Sequence, residues 1–359
     1  MKQLCFLIGN INHAGGTERV TTLIANQLAA EGYTVHILSL QQGDQPFFSL
    51  DSSIQYHALY PHTVSMKTHF IGCCLKIRHF VKKQQIDHLI VVDSISCVFT
   101  VPALWGLTVQ HICWEHFNFK VDLGATFRRI GRQWAAKYCD DIVTLTQRDQ
   151  DLWRQGLRHI SATMTAIANP SPYPTTETRP QLAHKTMLAV GRFTAQKGFD
   201  LLLRAWAEFC QQQTDWTLKI IGGGEDQALL EQLLRELKIA DRVQLLATTK
   251  DIGLYYQAAS FYCMSSRFEG LPMVLLEAQA FGLPIISFDC DTGPAELIHH
   301  NQHGYLVEAE NIQQFADYLL KASRITPEHY NEMVDQVKHN AEKYKLGSII
   351  SKWKDILEK

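Results

Sequence analysis

Short runs of β-branched and other apolar residues alternate with amphipathic helical patterns along almost the whole of this chain. Strands this apolar are buried on both faces, and a helix between each pair carries the chain across. That combination is the signature of parallel sheets built from βαβ units. In the first half, strands are read at LCFLIG, TVHILSL, IQYHALY, HLIVVD, QHICWEH and IVTLT, with helices at 17–31 and 68–84 among the segments between them. The pattern restarts at KTMLAVGR and continues through TLKIIGG, RVQLLA, SFYCMSS and PIISFD. Between the halves lies NPSPYPTTETRPQLAH, whose four prolines and Ser/Thr cluster break both periodicities.

The chain is therefore expected to be α/β, with two doubly wound Rossmann-like domains. The boundaries read as 1–168, a linker at 169–184, a second domain at 185–340 and a closing segment at 341–359. In that segment Trp353 and Ile356 share one helical face, which suits packing back onto the first domain or capping the second. Two domains agree with 359 residues at roughly 100–200 residues per domain. Open α/β sheets bind ligands outside the carboxyl ends of their strands, so a central cleft lined by both sets of strand ends is the expected site.

Composition narrows the classes. At 46% hydrophobic and 19% charged there is ample core and little scope for long disorder. A formal net charge of -2 provides no general field for nucleic acid. The nine cysteines are scattered through apolar stretches without zinc-ligand or CxxC spacing, which reads as buried reduced thiols with no metal expected. The opening MKQLCFLIGN is cut short by Asn10, Asn12 and His13 and leads into a Gly-Gly turn, so it reads as a first strand and not a signal peptide. No apolar run approaches the ~18–20 residues of a membrane span. A cytoplasmic location is expected, with any membrane contact peripheral.

The chemistry concentrates in SSRFEGLPMVLLEAQAFGLP. Pro272 suits a helix start and Gly282 its end, which predicts a helix over 272–281. Glu269 then precedes the helix and Glu277 lies inside it, among Val274, Leu275, Leu276, Ala278 and Ala280. A carboxylate in so apolar a helix requires a partner, and sugar or ribose hydroxyls are suitable donors. The bland alternative pairs Glu277 with a nearby Arg and leaves Glu269 to complement the helix dipole.

In LAVGRFTAQKGFDLLLRAW, Arg192 and Lys197 flank a turn between a buried strand and a helix. Two fixed cations there suit a diphosphate leaving group, although a solvated basic pair at a turn is an equal reading. Gly15 and Gly16 sit between the first strand and first helix, where backbone can approach a phosphate closely. IIGGGED at 220–226 is a poorer phosphate site because Glu225 and Asp226 open its helix. His116 and Asp93 each follow a strand and can reach a ligand from there, but single residues of this kind are more often structural. The stretch 67–83 carries Phe70, Cys74, Ile77 and Val81 on one face, with Lys76, His79, Lys82 and Lys83 off it. It and a second basic group, Arg128, Arg129, Arg132 and Lys137, can meet anionic lipid or a lipid-linked diphosphate. The plainer account is a solvated helix face.

Taken together, these motifs resemble the GT-B retaining glycosyltransferases, specifically the large bacterial family with a Glu-seven-residues-Glu element. The resemblance covers nearly the whole chain: the Gly-Gly turn, the His after HICWE, VGRFTAQKG and RFEGLPMVLLE occur in the expected order. It implies a metal-independent hexosyltransferase that uses no cofactor and takes a nucleotide-sugar as donor. By motif, Glu269 looks like the glutamate that holds the donor sugar, with the backbone of Gly270, Leu271 and Met273 beside sugar and diphosphate. Glu277 looks like the ribose-binding glutamate, and Arg192 and Lys197 like the diphosphate cations. Gly15 and Gly16 correspond to the turn at the donor phosphate, and His116 to the histidine near the donor sugar. The backbone of Leu245 and Leu246 would meet the base; the family often has Gly where this chain has Ala247. DCD at 289–291 reads as a turn and not as a metal motif.

The variants GGTERV and EGLPMVLLEA look more like enzymes that assemble O-antigen, capsule or glycoprotein glycans on polyprenyl diphosphate. A UDP-hexose or UDP-N-acetylhexosamine donor is implied, with a lipid-linked or oligosaccharide acceptor, peripheral contact with the anionic inner membrane through 67–83, and no nucleic acid. The competing expectations are a GT-B-like sugar-nucleotide epimerase and a non-catalytic nucleotide-sugar or glycan binder.

Overall fold

A computed structural model describes residues 2–359. Thirteen strands are found among them: β1 Gln3–Ile8, β2 Thr34–Ser39, β3 Gln55–Ala58, β4 His88–Val92, β5 Gln110–Trp114, β6 Asp141–Thr144, β7 Thr163–Ala166, β8 Thr186–Val190, β9 Thr217–Ile221, β10 Val243–Leu246, β11 Phe261–Met264, β12 Ile285–Asp289 and β13 Gly304–Glu308. Eleven match the runs read from the sequence. The other two, TMTA at β7 and GYLVE at β13, are edge strands: β7 has no buried residue and β13 is buried at three of its five positions, so neither shows the continuous apolar run that marks the interior strands.

The chain divides into two compact units. One runs to Pro172 and is completed by Leu346–Lys359; the other is Tyr173–Lys345. In the first, a seven-stranded sheet has the order β3-β2-β1-β4-β5-β6-β7, and every pairing is parallel. The central strand β4 is buried at all five positions. In the second, six parallel strands run β10-β9-β8-β11-β12-β13. Each sheet reverses direction of growth once, between β1 and β4 in one and between β8 and β11 in the other. Loops leaving adjacent strands at such a point diverge to opposite faces and open a crevice.

The helix Leu346–Leu357 belongs to the first unit. Its Trp353 is fully buried with its ring edge-on to Trp114 at 5.0 Å, a burial on the order of 3 kcal/mol. Lys354 reaches Glu31 at 2.9 Å and Lys359 reaches Asp141 at 2.7 Å. The proline-rich stretch beyond Pro172 runs along the second unit, where Thr176 N–H donates to the Ala280 carbonyl at 2.9 Å and Lys338 donates to the Thr176 carbonyl at 3.0 Å.

Candidate active site

In the second unit, the two loops that flank the β8/β11 crevice are bound to each other. Lys197, in the loop after β8, places Nζ 2.7 Å from Oε1 of Glu269, in the loop after β11. The pair is mostly buried, with side chains 18% and 8% exposed. Its alignment depends on several further links. Ser265 Oγ donates to the Lys197 carbonyl at 3.0 Å, Arg267 N–H to the Gln196 carbonyl at 2.8 Å, and Gln196 Nε2 to the Phe268 carbonyl at 3.1 Å. Arg267 grips both carboxylate oxygens of Asp200 at 2.9 and 2.8 Å and donates to the Ala195 carbonyl at 2.7 Å. Such a two-point fork fixes direction as well as distance. Gly198 makes the close approach feasible: it has φ +61, and a Cβ there would lie 2.1 Å from the Ser265 carbonyl oxygen.

A third loop supports Glu269 from behind. Thr292 Oγ1, fully buried after β12, donates to the Glu269 carbonyl at 2.6 Å. Gly293, at φ +101, lets that loop pack against Pro272 and Gly270, whose Cδ and carbonyl oxygen would be 2.5 and 2.9 Å from a Cβ. Asp289 ends β12 and Asp291 lies in the bend that follows, so the DCD stretch belongs to this supporting turn.

The helix Met273–Ala280 starts directly after Pro272, and Gly282 follows its end at φ +75. Gly270, Leu271 and Met273 therefore surround its N-terminus, where backbone N–H groups favour an anion. Glu277 is 6% exposed and accepts a 2.8 Å hydrogen bond from Tyr256 Oη. Tyr256 is itself fully buried, stacked at 5.2 Å on Phe281 and at 5.8 Å on Tyr262. Burial, with Glu277 beside it, pushes the Tyr256 hydroxyl well up, so it stays a donor. Arg192 is exposed in the turn after β8, and Leu245 and Leu246 end β10, both half-buried.

In the first unit, Gly15 and Gly16 open the helix Gly16–Ala30 after β1. A Cβ on Gly15 would meet Glu18 Oε2 at 2.1 Å, so the turn already carries a carboxylate of its own. Burial pushes the Glu18 carboxyl up, while the backbone N–H groups of Glu18 and Gly15 hold it down. His116 follows β5 with its ring 4.3 Å from Trp114, and its Nε2 is buried without a hydrogen-bond partner. Burial lowers its pKa to about 3, which keeps the imidazole neutral. Asp93, by contrast, is engaged structurally: it accepts from Ile95 N–H and pairs with Arg128 at 2.6 Å.

Arg128 and Arg132 do not form a surface with Arg129 and Lys137. They are 6% and 3% exposed, and Arg132 pairs with buried Glu115 at 3.1 Å while donating to the carbonyls of Phe119, Asn118 and Val121. On the helix Phe70–Lys83, Cys73, Ile77 and Val81 are buried, whereas Ile71 and Leu75 stand 73% and 63% exposed. Among the described residues no helix is long and apolar enough to cross a membrane.

Two parallel doubly wound sheets, one with a Lys–Glu pair at its switch point above a helix N-terminus, define a GT-B protein. The sequence comparisons make the family specific. Residues 176–343 match the model of "glycosyl transferases group 1" and residues 14–170 that of "glycosyltransferase family 4". A glycosyltransferase of Haemophilus influenzae is 39% identical over 99% of this chain and 100% of its own length. The amylovoran biosynthesis glycosyltransferase of Erwinia amylovora is 28% identical over 99% and 100%. Among solved structures, the lipopolysaccharide outer core galactosyltransferase WaaB superposes with a TM-score of 0.80 at 22% identity over 99% of both chains. The chain belongs to the GT-B glycosyltransferases.

Proposed function

We propose that this glycosyltransferase moves a hexose or N-acetylhexosamine from its UDP conjugate to a hydroxyl of a polyprenyl-diphosphate-linked or oligosaccharide acceptor. The transfer keeps the anomeric configuration and needs no divalent metal, and the product enters a bacterial surface polysaccharide. The observation that carries this reading is the 2.7 Å pair of Lys197 and Glu269 at the β8/β11 switch point. A cation suited to a diphosphate beside an acceptor suited to sugar hydroxyls, at strand ends of the kind where doubly wound sheets take ligands, supports it. Relatives named for amylovoran biosynthesis in Erwinia amylovora and for lipopolysaccharide 1,6-galactosyl transfer in Escherichia coli support the choice of product.

In this scheme the bond from the anomeric carbon to the diphosphate oxygen breaks as the acceptor oxygen bonds to the same face. The acceptor proton passes to the departing phosphate oxygen. Lys197 has three N–H donors and uses one on Glu269, so it can also stabilise the growing diphosphate charge, assisted by Arg192 and the N–H groups near Gly270, Leu271 and Met273. Glu269 orients the sugar and Glu277 the ribose. Leu245 and Leu246 meet the base with their backbone. Within the first unit, the Gly15–Gly16 turn suits a phosphate and neutral His116 offers a ring nitrogen to a hydroxyl.

The test is a panel of UDP-, GDP- and ADP-sugars with a short polyprenyl-diphosphate glycan, in chelator and in Mg²⁺. Equal UDP release in both buffers, with an α-linked product from an α-linked donor, supports the reading. Release only with Mg²⁺, an inverted linkage, or turnover confined to another nucleotide would each remove the corresponding part of it.

A further inference from the structure

The core of the first unit gathers soft donor atoms that the sequence keeps apart. His111 and Cys113 are two residues apart on β5 and so project from the same face of the sheet. The helix Cys97–Leu104 begins with Cys97, and the helix Thr126–Tyr138 ends at Cys139. All four side chains are buried, at 0%, 4%, 0% and 5% exposure for Cys97, His111, Cys113 and Cys139. A ligand atom from each of Cys97, His111 and Cys139 lies within 4.8 Å of the other two.

The surrounding hydrogen bonds decide which ring nitrogen faces the sulfurs. Thr100 Oγ1 donates to the Ser96 carbonyl at 3.4 Å, so toward His111 it is an acceptor and takes the Nε2 proton at 2.9 Å. Nδ1 is then the bare nitrogen, and it lies 3.5 Å from Cys139 Sγ. An imidazole whose far N–H is tied to a second partner, with its near lone pair among thiols, has the orientation of a metal ligand.

We propose that Cys97, Cys139 and His111 are the three protein ligands of a Zn²⁺ ion inside the first unit. Zinc bonds of ~2.3 Å to sulfur and ~2.0 Å to nitrogen place tetrahedral donors roughly 3.5–3.8 Å apart, and the Cys139–His111 separation already has that value. Binding releases one proton each from Cys97 and Cys139. The two thiolates neutralise the ion, so no net charge is left in the apolar core. A simple S–H···N bond from Cys139 to His111 is the competing account. The ion would fasten two helices to β5.

The experiment measures metal per chain in the full-length protein after expression with added zinc and gel filtration. Roughly one zinc per chain is expected. It should be lost from Cys97→Ser and Cys139→Ser and retained in Cys263→Ser, which alters a buried thiol of the second unit. Because the first two variants can fail to fold, wild-type protein is also refolded with Co²⁺, where a thiolate-to-cobalt charge-transfer band is expected. Substoichiometric zinc with no cobalt band overturns the proposal. Zinc retained in both folded variants, or a disulfide among these cysteines, overturns it equally.

Discussion

Lys197 and Glu269 are 72 positions apart, yet they share a proton-bearing contact of 2.7 Å with little solvent around it. Each therefore limits the freedom of the other. Lys197→Ala and Glu269→Ala are expected to lower kcat by about 10²–10³ each, the usual loss when one preorganised charge is removed. The double variant should lose little more than the worse single one, because the two residues act as a unit. Stability should rank differently. Lys197→Ala leaves a buried carboxylate uncompensated and should be less stable than the double variant by about 1–3 kcal/mol. Nucleoside diphosphate release and denaturant midpoints check both; additive losses in both assays would refute the coupling.

Gly198 carries the approach of the two loops. With φ +61 and the Ser265 oxygen 2.1 Å from any Cβ, Gly198→Ala must move backbone and not merely a flexible side chain. A loss of about 2 kcal/mol or more is expected, with a marked fall in kcat as Lys197 and Glu269 separate. Gly223→Ala is the control, since nothing lies within 4 Å of its Cβ position. Comparable melting temperatures and rates for the two variants would contradict this assignment.

The difference between what the sequence displayed and what it withheld follows the range of the interaction. The sheets were legible because strands such as β4 are apolar at every position, and the Glu269–Glu277 element because its spacing is local. Tyr256, Asp200 and Arg267 were not, because each acquires meaning only through a partner brought from another loop. Helical periodicity also misplaced Arg128 and Arg132 on a basic surface. A guanidinium with five donors can be satisfied in the interior, and Arg132 is satisfied there by three carbonyls and Glu115. The Cys97, His111 and Cys139 cluster was invisible for the same reason, since folding and not spacing assembles it.

Tyr256 offers a test of the Glu277 assignment that leaves Glu277 in place. Its hydroxyl holds Glu277 Oε2 at 2.8 Å, and its ring is clamped between Phe281 and Tyr262. Tyr256→Phe keeps the stack and removes only the donor. If Glu277 grips the ribose, donor KM should rise about tenfold, roughly the 1.4 kcal/mol of one hydrogen bond, with kcat changed less than about twofold. Unchanged KM alongside a lower melting temperature would leave Tyr256 a purely structural residue.

The pH dependence of stability should carry the mark of Asp149, which is 4% exposed and accepts from Phe119 N–H at 2.8 Å. Burial raises its carboxyl to about 7, against an unfolded value near the ordinary ~3.9. Between those values the folded chain holds a proton that the unfolded chain has lost, so stability falls as pH rises. Asp149→Asn keeps the acceptor for Phe119 and abolishes the titration. Relative to wild type, it should gain on the order of 3–4 kcal/mol as pH climbs from 4 to 7. His116 acts in the opposite sense, because its folded pKa of about 3 costs stability as pH falls. The comparison must therefore be variant against wild type, and parallel curves would disprove the Asp149 term.

Membrane contact depends on the outer face of the helix Phe70–Lys83. Ile71 and Leu75, one helical turn apart, are exposed at 73% and 63%, and Lys82 and Lys83 are exposed on the last turn. Apolar side chains that enter the interface and cations that meet anionic headgroups reinforce each other, each contributing on the order of 1 kcal/mol or more. Vesicles rich in anionic lipid should bind wild type more tightly than Ile71→Ser with Leu75→Ser, and more tightly than Lys82→Glu with Lys83→Glu, by about tenfold in each case. Added salt should erase the second difference and spare the first, because only charge attraction is screened. Equal partition of all three proteins at low salt would mean that this face meets water alone, and the acceptor would then have to be drawn from solution.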